Sequence, residues 1–383
     1  MKSGRRFRRW IIAHRPVTVN SAPPVIHSDL LRSIDRLLLF DQLAIGDFTY
    51  WQSGLEAFTR RYPHIRIDIW AETRHRWNFR KWRARRENVM HAWAASLPFV
   101  DRVYGQTYSP RTARRSLHEA RSQDYPLVIS FGVPLLDFHG SNGVRFPFCS
   151  NPPPRERSDG WVSVKNEFLP MVECSKRDLP RVDHVSDLYA LYFETLFGIH
   201  IPDEQRRPQV NVPAEWSDKA RLTLAALKIS PGDDRIIYIN PYAAQDKRSW
   251  PLARTLELVS RLQQEGPWHG AYVLINALPR NLETVARAIR KAGLEHTHAY
   301  SATSNFYELP AIVSQCDLVI TVDTGIMHLA IAEDVPLVAL MRPKRPEWRP
   351  YRCRHRLLLT EGHQSVSAID VEQVWQAAGS LAA

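Results

Sequence analysis

Apolar and polar positions are most clearly patterned between residues 318 and 340. An apolar run over 318–322 is followed by a polar turn, a short helical segment, Pro336 and a second apolar run over 337–340. Neither run alternates with polar residues, which is typical of parallel strands that are covered on both faces. Open α/β sheets bind ligands at the carboxyl ends of their strands. The pattern therefore predicts a ligand site in the turn that follows residue 322.

Strand and helix patterns also alternate along the rest of the chain, which predicts doubly wound parallel sheets. The first half has predicted strands at 36–40, 65–70 and 124–131, with helices at 49–61 and 184–197. The second half has predicted strands at 235–239 and 271–275, and helices at 217–227, 252–262, 282–292, 309–315 and 370–378.

A chain of 383 residues exceeds one ordinary domain, so we expect two. We assign 1–35 to a basic, flexible extension, 36–205 to the first domain, 206–216 to a linker and 217–383 to the second domain. The stretch 141–181 is rich in Gly, Pro and charge, and is expected to be irregular. No apolar run approaches the roughly 18–20 residues of a membrane span.

The net charge is +11, and the excess is concentrated in the first half, in the runs 5–15, 74–86 and 111–121. Basic residues interleaved with aromatic ones can hold nucleic acid, anionic lipid headgroups or a phosphorylated glycan. The alternative for each single run is a solvated helix face. Three runs in one half favour an acidic partner.

The four cysteines are scattered, with no C-x-x-C pair, which argues against a zinc site or a disulfide framework and fits a reducing cytosol. The basic start has an apolar part of only about four residues, so we do not expect a secretory signal.

The turn after residue 322 has the chemistry of an anion site. Thr324 and Gly325 open the helix, so their amide groups and the helix dipole would face an anion. Gly325 allows a phosphate to approach the backbone. His328, one turn further on, could reach the same anion. The alternative is a plain helix start capped by Asp323 or Thr324.

Three blocks of the sequence together resemble a known family. The first is Asp323-Thr-Gly-x-x-His-x-Ala, followed by Val-Pro and an apolar strand. The second runs from 235 to Trp250-Pro251, and the third from 37 through Gly46-Asp47 to 63. Along the chain the blocks occur in the family's order, and together they resemble glycosyltransferase family nine, the lipopolysaccharide heptosyltransferases. The resemblance implies the GT-B architecture, an α/β fold in which two Rossmann-like doubly wound domains face a central cleft.

Asp47 is the candidate catalytic residue. It matches the Gly-Asp of the family motif, whose Asp is the expected general base. An ionised carboxylate at a strand end can accept the acceptor's proton. The alternative is an N-cap Asp for the helix at 49–61.

The resemblance also implies donor-binding residues. A Lys or Arg before Trp250 contacts the donor phosphates in the family, and both Lys247 and Arg248 remain candidates; the alternative is ordinary surface cations. Glu283 corresponds to an acid that bonds the ribose, with a solvated helix residue as the alternative. Asp323, Thr324, Gly325 and His328 match the donor-site motif.

The acceptor is expected in the N-terminal domain, where the basic segment 74–86 lies. The candidate acceptor-binding residues there are Arg80, Lys81, Arg83, Arg85 and Arg86.

The leading hypothesis is an inverting glycosyltransferase that needs no metal or other cofactor. It would move heptose from ADP-heptose to an anionic lipopolysaccharide inner core, in peripheral contact with the cytoplasmic face of the inner membrane. The absence of an Asp-x-Asp triplet agrees with this hypothesis. One alternative is the same fold with another nucleotide sugar or a protein acceptor. Another is a nucleic-acid-binding protein, which leaves Asp47 and 323–328 without a role; no nucleic acid is therefore expected.

Overall fold

The structure is a computed structural model. It describes residues 26–41, 45–71, 89–104, 125–131, 171–174 and 182–382, with the single positions 24, 115, 118–120, 122 and 123. Two parallel sheets, one in each half of the chain, organise these residues.

The N-terminal unit contains a five-stranded sheet in the order β3-β2-β1-β4-β5, with every neighbouring pair parallel. Its elements are α1 (Ser28–Ser33), β1 (Arg36–Asp41), α2 (Ile45–Arg61), β2 (Arg66–Ala71), α3 (Val89–Ala95), β3 (Val100–Tyr104), β4 (Val128–Phe131), β5 (Met171–Cys174) and α4 (Val185–Phe197).

The C-terminal unit contains a six-stranded parallel sheet in the order β11-β10-β9-β6-β7-β8. Its elements are α5 (Ala214–Ala226), β6 (Ile236–Asn240), α6 (Leu252–Gln264), β7 (Tyr272–Asn276), α7 (Leu282–Lys291), β8 (Thr297–Tyr300), α8 (Glu308–Val313), β9 (Leu318–Val322), α9 (Gly325–Ala332), β10 (Leu337–Met341), β11 (His355–Leu359) and α10 (Val371–Gly379).

The unbroken apolar runs form the central strands because both faces of the C-terminal sheet are covered. Leu318, Ile320 and Val322 of β9 pack into the core on one face. Val319 of the same strand packs into the core on the other face. Strand residues point alternately to opposite sides, so a strand between two helical layers needs apolar residues at successive positions.

The strand orders place one crevice in each unit. In the N-terminal sheet the order reverses between β1 and β4, and in the C-terminal sheet between β6 and β9. Ligands of open α/β sheets bind outside the carboxyl ends of the strands at such a point. The carboxyl ends of β1 and β9 lie at these two places.

The two units pack against each other through aromatic side chains. The ring of Trp93 stacks on Phe306 with centroids 4.2 Å apart. The hydroxyl groups of Ser96 and Tyr307 are 2.7 Å apart. Leu329 of α9 belongs to the buried core of the N-terminal unit. These contacts join the N-terminal unit to the segment that precedes α8 and to α9 of the C-terminal unit.

Several predicted boundaries are corrected. Helix α1 lies inside the predicted flexible extension 1–35, where Leu31 is fully buried. Strand β5 lies inside the stretch 141–181, which was predicted to be irregular. Residues 214–216 of the predicted linker belong to α5, and α2 begins at Ile45 rather than at 49.

Strands β3, β8 and β11 were not predicted. All three are edge strands, and their residues are largely half-exposed. Their sequences are therefore mixed in polarity, and no buried apolar run identifies them. No helix in the described ranges is long and apolar enough to cross a membrane.

A glycine sets how closely α2 approaches α4. A Cβ atom at Gly54 would overlap the ring of Phe193, which is 2% exposed and packs against Trp51 and Phe197. We expect Gly54→Ala to lower the free energy of unfolding by about 1–3 kcal/mol, because this ring has no free space to enter. Urea denaturation would measure the change.

The control is a second helical glycine, Gly379 in α10. A Cβ atom there would lie 3.9 Å from Pro267, which is an ordinary contact. Gly379→Ala should leave stability unchanged or raise it by up to about 1 kcal/mol through helix propensity. Equal losses in the two variants would contradict the packing explanation.

Candidate active site

The first turns of α2 and α9 touch each other across the domain boundary. A Cβ atom at Gly325 would lie 3.1 Å from Cβ of Ile45, and one at Gly46 would lie 2.6 Å from Cδ2 of His328. The two helix starts can approach this closely because both positions are glycine. The contact places Asp47 beside the turn at 323–328. The sequence patterns indicated these two strand ends separately.

Asp47 is the third residue of α2 and is 5% exposed. Because the helix begins at Ile45, Asp47 does not cap a helix that starts at 49. The hydroxyl of Tyr189, on α4, donates a hydrogen bond of 2.7 Å to its Oδ1. This bond holds the carboxylate in one orientation. Sequence reasoning missed Tyr189, since only packing brings α4 to this point.

A chain of amide and hydroxyl groups lines the carboxyl ends of the C-terminal strands. Asn240, the last residue of β6, donates from Nδ2 to Oγ1 of Thr324 at 2.9 Å and to Oγ1 of Thr321 at 3.1 Å. Asn276, the last residue of β7, donates to Oδ1 of Asn240 at 2.9 Å, and Tyr238 donates to Oδ1 of Asn276 at 2.9 Å. The network orients Thr324 at the start of α9.

Asn240 and Asn276 were not among the candidate residues. A signal for them does exist in the sequence, because each is a polar residue that ends a buried apolar run. Thr324 is the N-cap residue of α9, but its side chain makes no capping hydrogen bond. Its hydroxyl is held by Asn240 instead.

Of the two candidate cations, the structure brings Arg248 to the turn. Its Nη2 lies 2.9 Å from Oδ2 of Asp323, and it also donates to the carbonyl oxygen of Asp323. Its Nε is buried and has no hydrogen-bond partner among the described residues. Lys247 is exposed, and its carbonyl accepts a bond from Ser365.

Opposing effects act on the pKa of Asp323. Burial raises the pKa of Asp323, while the guanidinium groups of Arg248 and Arg345 act in the opposite direction. Glu347 adds a smaller effect that raises the pKa. The ion pair with Asp323 holds the guanidinium of Arg248 at the start of α9.

His328 lies in the junction between the two units and is 3% exposed. Burial, together with the nearby His184, lowers the pKa of His328 to about 3. The ring is neutral at pH 7, so it can offer an anion a hydrogen bond but no positive charge. Its Nδ1 lies 3.2 Å from the hydroxyl of Tyr50, one turn after Asp47.

Glu283 lies in the first turn of α7. Its carboxylate forms an ion pair of 2.8 Å with Arg290, and its side chain is 67% exposed. The acceptor-binding candidates Arg80, Lys81, Arg83, Arg85 and Arg86 lie outside the described residues. In the described ranges no group of three or more His, Cys, Asp or Glu residues is placed to hold a metal ion.

Comparison with known proteins connects this geometry with one family. The family described as glycosyltransferase family 9 (heptosyltransferase) matches residues 175–374. Lipooligosaccharide heptosyltransferase 2 of Haemophilus influenzae is 33% identical over 72 residues, which is 18% of this chain and 21% of that protein. The alignment thus spans about a fifth of the curated relative.

Solved structures share the whole fold. A family 9 glycosyl transferase from Veillonella parvula DSM 2008 is 19% identical and superposes with a TM-score of 0.64, covering 91% of this chain and 97% of its own. The E. coli ADP-heptose lps heptosyltransferase II is 18% identical, with a TM-score of 0.60 and coverages of 91% and 98%.

An E. coli heptosyltransferase with ADP-2-deoxy-2-fluoro heptose is 15% identical, with a TM-score of 0.57 and coverages of 89% and 98%. These structures confirm the predicted fold class, two Rossmann-like domains in the GT-B arrangement. Together with the family match over 175–374, they show that the chain belongs to glycosyltransferase family 9, the heptosyltransferase family.

Proposed function

We propose that this protein is an inverting, metal-independent heptosyltransferase that uses ADP-heptose as its donor and a lipopolysaccharide inner core as its acceptor. The contact between the first turns of α2 and α9 is the observation that carries the proposal. It brings a buried carboxylate, Asp47, next to a helix start that suits a diphosphate. A transferase needs these two groups on either side of the reacting carbon.

On the donor side, the amide groups at the start of α9 and the guanidinium of Arg248 would hold the diphosphate. The helix dipole and Arg248 stabilise the negative charge that grows on the leaving group as the sugar departs. Thr324 adds a hydroxyl whose position is set by Asn240. This arrangement supplies the positive charge that a metal ion supplies in other enzymes.

On the acceptor side, Asp47 would take the proton from the attacking hydroxyl. The acceptor oxygen forms a bond to the anomeric carbon while the bond from that carbon to the phosphate oxygen breaks. ADP leaves with the electron pair, and the proton goes to Asp47. One displacement from the opposite face inverts the anomeric centre. Tyr189 orients the carboxylate for this transfer.

The choice of donor is supported by relatives that share the fold. The solved E. coli heptosyltransferase holds ADP-2-deoxy-2-fluoro heptose, a fluorinated form of ADP-heptose. An anionic glycolipid acceptor and a peripheral contact with the cytoplasmic face of the inner membrane agree with the net charge of +11. The acceptor and the membrane contact are part of the same proposal.

Thermal unfolding tests the donor. ADP-heptose should raise the midpoint, because a ligand at about 100 times its Kd stabilises a protein by about 2.7 kcal/mol. A UDP-sugar at the same concentration should not. Equal protection by both would contradict the ADP-heptose assignment.

Heptosyl transfer is expected to persist in EDTA, because the proposed step uses no metal ion. Loss of transfer in EDTA, with recovery when Mg²⁺ is added, would contradict the metal-free step.

Replacing Thr324 tests the position of the diphosphate. Thr324→Val should weaken ADP binding about 10-fold or more, because a hydrogen bond to a charged group contributes about 1.5–3 kcal/mol. Calorimetric titration of ADP measures this. Thr297→Val is the control: Thr297 is buried at the amino end of β8, away from the carboxyl ends of the strands, and its hydroxyl accepts from Gln263.

A further inference from the structure

The loop between β10 and β11, residues 342–354, carries six cationic residues and one acidic residue, Glu347. It leaves β10 after Met341, at the carboxyl end of the strand. β10 pairs with β9 in parallel, so the loop begins beside the turn that holds Asp323. A strongly basic loop therefore starts at the ligand edge of the C-terminal sheet.

The loop is fixed to both units. The ring of Trp348 packs edge-on against Tyr50 of α2, with centroids 6.3 Å apart, and against His328 of α9, at 5.4 Å. The carbonyl oxygen of Arg349 accepts a hydrogen bond of 3.0 Å from Nε2 of His184, the N-cap residue of α4. The segment 348–349 thus lies where the helices that carry Asp47, Tyr189 and His328 meet.

The six cations fall into two groups. Three are bound to protein acceptors: Arg342 donates to two carbonyl oxygens, Arg352 pairs with Asp203 at 3.2 Å, and Arg354 donates to the carbonyl oxygen of Leu381.

The other three cations are Lys344, Arg345 and Arg349. In the described part of the chain, their side chains form no hydrogen bond or ion pair. Lys344 and Arg345 are exposed, and Arg349 is half-buried. The guanidinium of Arg345 lies near enough to Asp323 to counteract the rise in the pKa of that carboxyl. Asp323 is already paired with Arg248.

We propose that Lys344, Arg345 and Arg349 form an anion site at the domain junction that binds a phosphate group of a substrate, in addition to Arg248 and the start of α9. Three like charges held within six residues repel one another, and Glu347 offsets only one of them. A phosphate relieves this repulsion and accepts several charge-assisted hydrogen bonds, including bidentate ones from arginine. Naming the ligand as a substrate rests on the proposed function.

Such a phosphate could belong to the donor diphosphate or to a phosphorylated glycolipid acceptor. The triple variant Lys344→Gln/Arg345→Gln/Arg349→Gln separates these sources by direct binding. Inorganic pyrophosphate and ADP are titrated by calorimetry. A bisphosphorylated disaccharide lipid and its dephosphorylated form are titrated in neutral detergent micelles. We expect a loss of affinity of about tenfold or more for one of these two phosphate classes.

A loss for pyrophosphate and ADP assigns the site to the donor. A loss for the bisphosphorylated lipid, with no change for the dephosphorylated form, assigns it to the acceptor. Arg287→Gln is the control, since Arg287 is an exposed cation on α7 of the same unit. If the triple variant binds every probe as Arg287→Gln does, with an unchanged unfolding midpoint, the proposal is wrong.

Neither titration needs turnover. The triple variant could lose pyrophosphate affinity while the native protein transfers no heptose. That result would support the anion site and contradict only the proposed function. The two ideas can therefore fail separately.

Discussion

Asp47→Asn is expected to reduce heptosyl transfer by about 10²–10⁴-fold, the usual contribution of a general base. The Asn side chain has the same shape but cannot accept the proton of the acceptor hydroxyl. ADP binding should be unchanged, because the diphosphate is held by Arg248 and the start of α9 on the other side of the junction. Single-turnover rates with saturating ADP-heptose, together with calorimetric titration of ADP, would measure both quantities.

Tyr189 provides the companion variant. Its hydroxyl can still donate to Oδ1 of an Asn at position 47, so Asp47→Asn should keep the fold and the unfolding midpoint. Tyr189→Phe keeps the carboxylate but removes the bond that orients it, so transfer should fall by less than in Asp47→Asn. Near-native transfer by Asp47→Asn at saturating donor would show that another group accepts the proton.

Trp250→Ala is expected to lower the free energy of unfolding by about 3–5 kcal/mol, the usual cost of removing a buried Trp. The side chain is 1% exposed and lies in the core formed by α6, α10 and the sheet. Its Nε1 donates a hydrogen bond of 2.9 Å to the carbonyl oxygen of Ile369. Urea unfolding at neutral pH would show the loss as a lower midpoint.

Trp250→Phe separates packing from function. Phe fills most of the space, and the carbonyl oxygen of Ile369 still accepts a hydrogen bond from Arg254 at 2.8 Å. Trp250→Phe should therefore lower the free energy of unfolding much less than Trp250→Ala does. Trp250 lies two residues after Arg248 and fixes the end of that segment in the core. ADP affinity should therefore survive in Trp250→Phe. A folded Trp250→Phe variant with native stability but no ADP affinity would contradict a purely structural role.

The sequence by itself determined the central strands, the helices between them and the positions of the turns. The strands β6, β9 and β10 are buried on both faces, so their apolar runs are continuous. Such strands can be predicted without knowing which strands they pair with. Asp47 and the 323–328 turn became candidates because a strand end followed by a helix start is a local pattern. Edge strands such as β8 were not predicted, because their half-exposed residues do not form a continuous apolar run.

Only the tertiary structure decided how these pieces act together. The bond between Tyr189 and Asp47 joins residues 142 positions apart, and the bond between Tyr50 and His328 joins residues 278 apart. That Arg248 rather than Lys247 lies at Asp323 depends on which side chain the short helix Asp246–Arg248 turns toward that carboxylate. The neutral state of His328 depends on burial by a second unit. Contact and desolvation are properties of packed surfaces, which a local pattern of residue types does not contain.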